Sequence, residues 1–346
     1  MLKITPVCAP GLEPFLRQEL RALALGQGLR DVYRANLHLR TAERVLVRVG
    51  EFHAAAFPEL ERKAKRLPWG SFLAPGRSVA VRASCRRSRL YHERAVAERV
   101  ERAASSGDAG SPQLVFVRME DDLCTVDIDS SGEPLHRRGY RLATAKAPLS
   151  ETLASALVMA CGWDAASPLL DPFCGSGTIP IEAALLAGRL PPGRSRRFAF
   201  MDWPGFDMGS WQALLAETDA QFSAPRIIAS DRDAGAVRSA QANAERAGVA
   251  DRIEFSCGAV SAVEPPASPG WVLTNPPYGV RLKGKGDLRD LYAQFGKVLR
   301  GRLPGWRVAM LCPSVPLIRS TGLRLEPRLE AISGGLKVRL WTGGPL

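Results

Sequence analysis

The stretch "SPLLDPFCGSGTIPIEAALLAG" (167–188) sets the fold. It reads as a short apolar strand through Leu169 and Leu170, a turn at Gly175 and Gly177, and a helix from Thr178. Glycines there let the backbone approach a ligand closely, and the first turn of the helix offers free N–H groups. The same alternation continues downstream: "RIIASD" (strand), "DAGAVRSAQANAERAG" (helix), "RIEFSCG" (strand), "GWVLTNPP" (strand), "LRDLYAQFGKVLRG" (helix), "GWRVAMLCP" (strand), then a pair near "LRLEPRLEAI" and "LKVRLWT". This pattern predicts an α/β class with a mostly parallel, doubly wound sheet, in which ligands bind outside the carboxyl ends of the strands. "DPF", "ASD" and "TNPPY" all fall at such ends. The segment 196–218 interrupts the alternation and is expected to be an insertion over or beside the crevice, with Trp203, Phe206 and Trp211 as packing aromatics.

The first half has a different texture. "GLEPFLRQELRAL" (11–23) spaces Leu12, Phe15, Leu16, Leu20 and Leu23 as one helix face. "RVLVRVGEF" (44–52) and "SVAVRAS" (78–84) alternate like half-buried strands, "FPELERKAKRL" and "HERAVAERVERAA" read as helices, and "LVFVRMEDDLCTVDID" (114–129) as a hairpin turning at Glu120 to Asp122. Such a mixture predicts an α+β region with one solvated sheet face.

At 346 residues the chain is long enough for two or more cores, and 46% hydrophobic with 24% charged residues is a globular balance. No apolar run is long enough to span a membrane and no leader pattern opens "MLKITPVCAP", so the expectation is a cytoplasmic protein without membrane attachment. Seven scattered cysteines, no CxxC pair and four histidines argue against both a disulfide framework and a metal site. Residues 1–150 carry 25 basic against 17 acidic side chains, +8 of the total +12. A basic region beside a nearly neutral one fits a polyanion-binding module. Within it "CRRSRLYH" (85–92) offers Arg86, Arg87 and Arg89 for phosphates, with Tyr91 as a stacking ring.

The crevice residues specify a ligand class. There is no GxxxxGK[ST] and no GxGxxG, which argues against a nucleoside triphosphate. Asp231 ends the strand "RIIASD", where a carboxylate accepts from ribose hydroxyls. A glycine turn plus a ribose-gripping acid describes an adenosine-containing ligand that needs no phosphates.

In this order "DPFCGSGT", "ASDRD" and "NPPYG" (275–279) resemble the class I S-adenosylmethionine-dependent methyltransferases that act on exocyclic amines. "RVLVRVGEF", "VDIDSSGEPLHRRGYR", "APLSETLASAL" and the late "GGLKVRLW" follow the order of the THUMP-containing RNA methyltransferases. The chain is most similar to the type that methylates guanine N2 in large-subunit (23S) ribosomal RNA; a second similar group modifies tRNA guanine. The resemblance implies a ferredoxin-like segment at 1–42, a THUMP RNA-binding domain at 43–141 and a Rossmann-like class I methyltransferase domain at 142–346. It implies S-adenosyl-L-methionine as cofactor, structured RNA (rRNA or tRNA) as partner and no metal; the sequence does not give the oligomeric state, and a monomer is assumed. Asp171 is expected to face the methionine amino group, with Phe173, Gly175, Gly177 and Thr178 lining the same ligand, Asp231 on the ribose and Thr152 in a segment that closes over it. Ala259 stands where such enzymes often place an aspartate for the adenine amino group.

The catalytic expectation rests on "NPPY". An exocyclic amine is a poor nucleophile because its lone pair is delocalised into the ring. Two acceptors, the Asn275 side-chain oxygen and the Pro276 carbonyl, take its two N–H groups and aim the lone pair at a methyl donor. Pro276 and Pro277 keep that carbonyl out of the sheet ladder, Tyr278 stacks on an extruded base, and Asn275 also lines the cofactor. Cys174 is read as structural. Adenine N6, a glutamine amide, or a non-catalytic RNA-binding assembly factor are the alternative readings.

Overall fold

The computed structural model describes residues 1–105, 107, 109–142, 149–217, 225–262, 264, 266, 268–278 and 288–346. Ala147, Pro148 and Gly279 of the motifs above lie outside them. In chain order the first elements are β1 (Ile4–Cys8), α1 (Glu13–Leu23), α2 (Leu29–His38), β2 (Ala42–His53), α3 (Phe57–Ala64), β3 (Arg77–Arg86), α4 (Glu93–Ala104), β4 (Ala109–Glu120) and β5 (Leu123–Asp129). Then follow α5 (Glu151–Cys161), β6 (Leu169–Asp171), α6 (Thr178–Ala187), α7 (Met208–Ala216), β7 (Ile227–Asp231), α8 (Ala234–Ala247), β8 (Ile253–Cys257), β9 (Trp271–Thr274), α9 (Leu288–Arg302), β10 (Arg307–Cys312), α10 (Val315–Ser320), β11 (Glu326–Ser333) and β12 (Leu336–Gly343). They form two compact units, one of Met1–Val7, Leu20–Leu135 and Arg196–Glu217, the other of Cys8–Glu19, His136–Ser195 and Thr218–Leu346.

The first unit is built on a five-stranded sheet in the order β1-β2-β5-β4-β3. The hairpin β4–β5 turns through Asp121 and Asp122, both at positive φ, and short polar side chains tolerate that better than most while the resulting twist suits a two-residue loop. Val115, Val117, Met119, Cys124, Val126 and Ile128 are buried, as are Val96 and Val100 of α4. β3 is an edge strand, and α4 closes it: Glu101 accepts from the Val81 N–H at 2.8 Å and Glu93 from the Cys85 N–H at 3.3 Å. Arg82, Ser84, Arg86 and Arg118 are exposed, so one sheet face is open to solvent as the alternation predicts.

The segment 196–217 departs from expectation. It contributes to the core of this first unit: Phe198, Phe200, Trp203 and Trp211 are buried. Tyr33 stacks on Phe200 with centroids 4.6 Å apart and meets Trp211 edge-on, while Trp203 stands edge-on to Phe72 at 5.0 Å. Aromatic pairs of this kind add about 1 kcal/mol each to the burial of their area. Core packing, and not a cover for the crevice, accounts for these rings.

The second unit holds a seven-stranded sheet in the order β11-β12-β10-β9-β6-β7-β8. β8, β7, β6, β9 and β10 pair in parallel; β12 is antiparallel to both β10 and β11, so it alone runs against the rest. Strand residues alternate between two cores. Leu169, Ala229, Leu273 and Leu311 join α5, α6 and α8 on one face, whereas Leu170, Ile228, Val272 and Met310 join α9 and α10 on the other. This is the doubly wound, Rossmann-like sheet that the alternation predicts. The chain moves from β6 outward through β7 to β8, then returns to the far side of β6 with β9. Between β6 and β9 lies the switch point at which such sheets leave an open crevice.

Candidate active site

The carboxyl end of β6 delivers Asp171 to that crevice with only 1% of its surface exposed. The register of β6 on β9, Leu170 opposite Val272, sets the two strand ends side by side. Thr274 at the end of β9 then donates its hydroxyl to Asp171 Oδ1 at 2.6 Å, and the Phe173 amide donates to the same oxygen at 3.2 Å. Burial pushes the Asp171 carboxyl up to about 7, against the pull of these two donors and with a further push from the Asp231 charge. A buried carboxyl pushed toward neutrality beside another acid marks a candidate functional position.

Asp231, at the end of β7, shapes the glycine turn directly. Its Oδ2 accepts from the Gly175 amide at 3.0 Å and its Oδ1 from the Asp233 amide at 3.0 Å. The Cys174 amide donates to Ser230 O at 3.0 Å, and the buried Asn243 side chain on α8 donates to Ser176 O at 2.9 Å. The two glycines differ in purpose. A Cβ on Gly177, at φ +82°, would come within 2.9 Å of Ala240, so that glycine is needed for α6 to start against α8. A Cβ on Gly175, at φ +53°, would meet nothing within 4 Å, so its bare face looks into open space.

The last registered pair of β9 is Thr274 with Met310, so Asn275 is the first residue beyond the ladder. Its Oδ1 is buried and without a hydrogen-bond partner among the described residues. A buried acceptor left bare costs roughly 1–3 kcal/mol, which a stable fold retains where something else completes the bond. Pro276 is buried, Pro277 and Tyr278 half-buried, and Tyr278 packs against both cores of the sheet. Tyr292 of α9, 1% exposed, donates its hydroxyl toward Pro277 O and Cys312 Sγ, each at 3.4 Å. Burial raises the phenols of both Tyr278 and Tyr292 above their ordinary range, so each stays a neutral ring. Phe173 stands edge-on to Phe295 of α9 at 5.1 Å, which braces the turn after β6. Cys174 is buried, its thiol pushed up first by burial and then by the two aspartates, which suits a packed side chain and not a nucleophile.

A family model described as "RMKL-like, methyltransferase domain" matches residues 138–320, the span that contains every one of these strand ends. The chain belongs to the RMKL-like methyltransferases. A second model, the RlmL ferredoxin-like domain, matches residues 26–46. The slr0064 protein of Synechocystis sp. is 33% identical over 361 residues, covering 96% of this chain and 94% of its own length. The ribosomal RNA large subunit methyltransferase K/L of Methylococcus capsulatus is 35% identical over 365 residues, 96% of this chain and 50% of that protein. The chain therefore spans about half the length of that relative. Among solved structures, SMU.472 complexed with SAH superposes with a TM-score of 0.86 at 27% identity, covering 100% of this chain and 98% of that one.

In this RMKL-like methyltransferase, hydrogen bonds tie Asp171 to Phe173 and Thr274, and separately Gly175 to Asp231, with Asn275 following Thr274 directly. Other expected residues sit apart from that network. Ala259 is exposed, and its carbonyl accepts from Ala262 N at 2.8 Å. Thr152 is fully buried in the first turn of α5, beside Ser150, whose hydroxyl caps the helix at Leu153 N. Thr178 is buried at the start of α6. In the first unit, Arg87 is held by Asp121 at 2.9 Å and Glu120 at 3.2 Å, and Arg89 lies 3.8 Å from Asp122, so two of the three loop arginines already face acids. Thr274, Tyr292 and Asn243 went unmarked in the sequence; only the position of Thr274 just before "NPPY" singled any of them out.

Proposed function

We propose that the chain transfers a methyl group from S-adenosyl-L-methionine to N2 of a guanine in structured RNA, ribosomal in preference to transfer RNA. The observation that carries this reading is the bare, buried Asn275 Oδ1 at the end of β9. Among the described residues it is an acceptor without a donor, next to a proline pair that frees a second carbonyl, and an exocyclic amine has the two N–H groups to fill both.

The residues present fit the cofactor. Gly175 has room for a ligand against its backbone. Asp171 supplies a negative charge, buried and titrating near neutrality, for the methionine ammonium, and Asp231 keeps acceptor capacity for ribose hydroxyls while holding the glycine turn. When bound, the cofactor supplies an electrophilic methyl on a sulfonium. The protein's own work is orientation. Asn275 and Pro276 hold both N–H groups so that the lone pair leaves conjugation with the ring and localises on nitrogen, Tyr278 stacks on the base, and Tyr292 steadies the loop through Pro277. The amine loses its proton after transfer, so no strong base is required. In this reading residues 43–141 hold the RNA, 142–346 carry the transfer, and the protein works in the cytoplasm.

Incubating the protein with labelled cofactor and RNA from a strain lacking it, then digesting to nucleosides, tests the proposal. Label in N2-methylguanosine is expected. Label in N6-methyladenosine, or none, would overturn it.

A further inference from the structure

Alternate residues of a strand point to one face. The registers of the first unit's sheet therefore set Arg82, Ser84 and Arg86 of β3 beside Phe116, Arg118 and Glu120 of β4, then Asp127 and Thr125 of β5, then Arg48 and Glu51 of β2. The acids on this face are already engaged. Arg48 holds Asp127 at 2.6 Å and also pairs with Glu51, and Arg87 takes Glu120. Arg82, Arg86 and Arg118 are exposed and make no ion pair among the described residues. Phe116 lies half-buried between Arg82 and Asp127 in its row.

The geometry points to this open sheet face as the docking surface for a single-stranded segment of RNA, with phosphates on Arg82, Arg86 and Arg118 and an unpaired base against Phe116. The inference rests on the RNA reading above and adds the surface that holds the substrate. Arg82 and Arg86 stand four residues apart on the same face of β3, about 13 Å along the strand, and Arg118 lies on β4 in the row between them, opposite Ser84. That row of uncompensated charge matches a flexible phosphate chain. The ring among the guanidinium groups suits a base whose face is free, which a duplex does not offer. The loop 87–91 is the weaker candidate, because Arg87 and Arg89 would have to leave Asp121 and Asp122 to reach a phosphate.

The test measures binding of the full chain to a fluorescein-labelled single-stranded RNA of about 16 nucleotides across a salt series, with a duplex of equal length in parallel. Arg82→Ala with Arg118→Ala is expected to weaken single-strand binding about tenfold and to lower the slope of log K on log salt by about 1.4, two phosphates at roughly 0.7 each. Phe116→Leu should weaken the single strand more than the duplex. Arg87→Ala with Arg89→Ala should leave the slope unchanged. If the Arg82 and Arg118 double variant binds with wild-type affinity and slope, or if only duplex binding falls, the surface is wrong. Wild-type protein that methylates RNA while the variants bind it normally removes this surface alone, whereas wild-type protein that neither binds nor methylates RNA removes the functional reading with it.

Discussion

Cofactor binding should be coupled to one proton through Asp171. Its carboxyl is buried and pushed up to about 7, so in the free protein near pH 6 it is mostly protonated, whereas its proposed pairing with the ammonium of the amino-acid moiety needs it ionised. Affinity is then fullest above pH 7 and lost as pH falls through it. The apparent Kd rises by the protonated fraction, about tenfold near pH 6 and about a hundredfold near pH 5, at 1.4 kcal/mol per decade. The same shift acts on stability with the opposite sense. The folded value lies above the unfolded 3.8, so this group's contribution is complete below about pH 4 and is withdrawn as pH rises through 7, about 4 kcal/mol in the ligand-free chain. Calorimetric titration with S-adenosylhomocysteine, which carries the same amino group, across pH 5 to 8 in two buffers of different ionisation enthalpy reads both the slope and the released proton. A flat Kd over that range refutes the reasoning, as does an Asp171→Asn variant that keeps the wild-type slope.

Three further outcomes follow from the geometry. Asn275→Ala should lower single-turnover methyl transfer by about a hundredfold or more, as loss of one preorganised polar contact does, while the Kd for RNA stays within about twofold. Gly177→Ala combines a left-handed φ with a 2.9 Å approach to Ala240 and should cost about 3 kcal/mol in chemical denaturation, with the loss traceable to the second unit. Phe200→Ala removes a fully buried ring that stacks on Tyr33 and Phe198 and should destabilise the first unit by about 3–5 kcal/mol; a change under about 1 kcal/mol would mean that segment 196–217 is not part of its core.

The alternation of short apolar strands with helices made the second unit legible, because strands buried on both faces leave continuous runs such as "WVLT" and their ends carry the crevice residues. Asp171, Gly175, Asp231 and Asn275 were visible for the same reason. What escaped depends on contacts distant along the chain. α2, "LRDVYRANLH", begins at Gly28, which has no side chain to cap it, and buries Val32, Tyr33 and Leu37; Tyr33 finds Phe200, Phe206 and Trp211 some 170 residues later in the segment 196–217. Thr274 and Tyr292 reach the site through a parallel register and through a helix that the linear pattern does not orient. The loop arginines read as free cations because Asp121 and Asp122 face them only once the hairpin has formed alongside β3. A count of charges along a chain says little about which of them remain unpaired.

The bond from the Gly175 amide to Asp231 has a kinetic consequence. A glycine-rich turn is the part of a binding site most prone to wander, and ordering it on contact would slow association and weaken the complex. Here Asp231 fixes the turn during folding, so the ordering entropy is spent before any ligand arrives and encounter meets a finished surface. Replacing Asp231 would accordingly remove the proposed ribose contact and also return the turn to a mobile state, showing as a slower on-rate beside the faster off-rate.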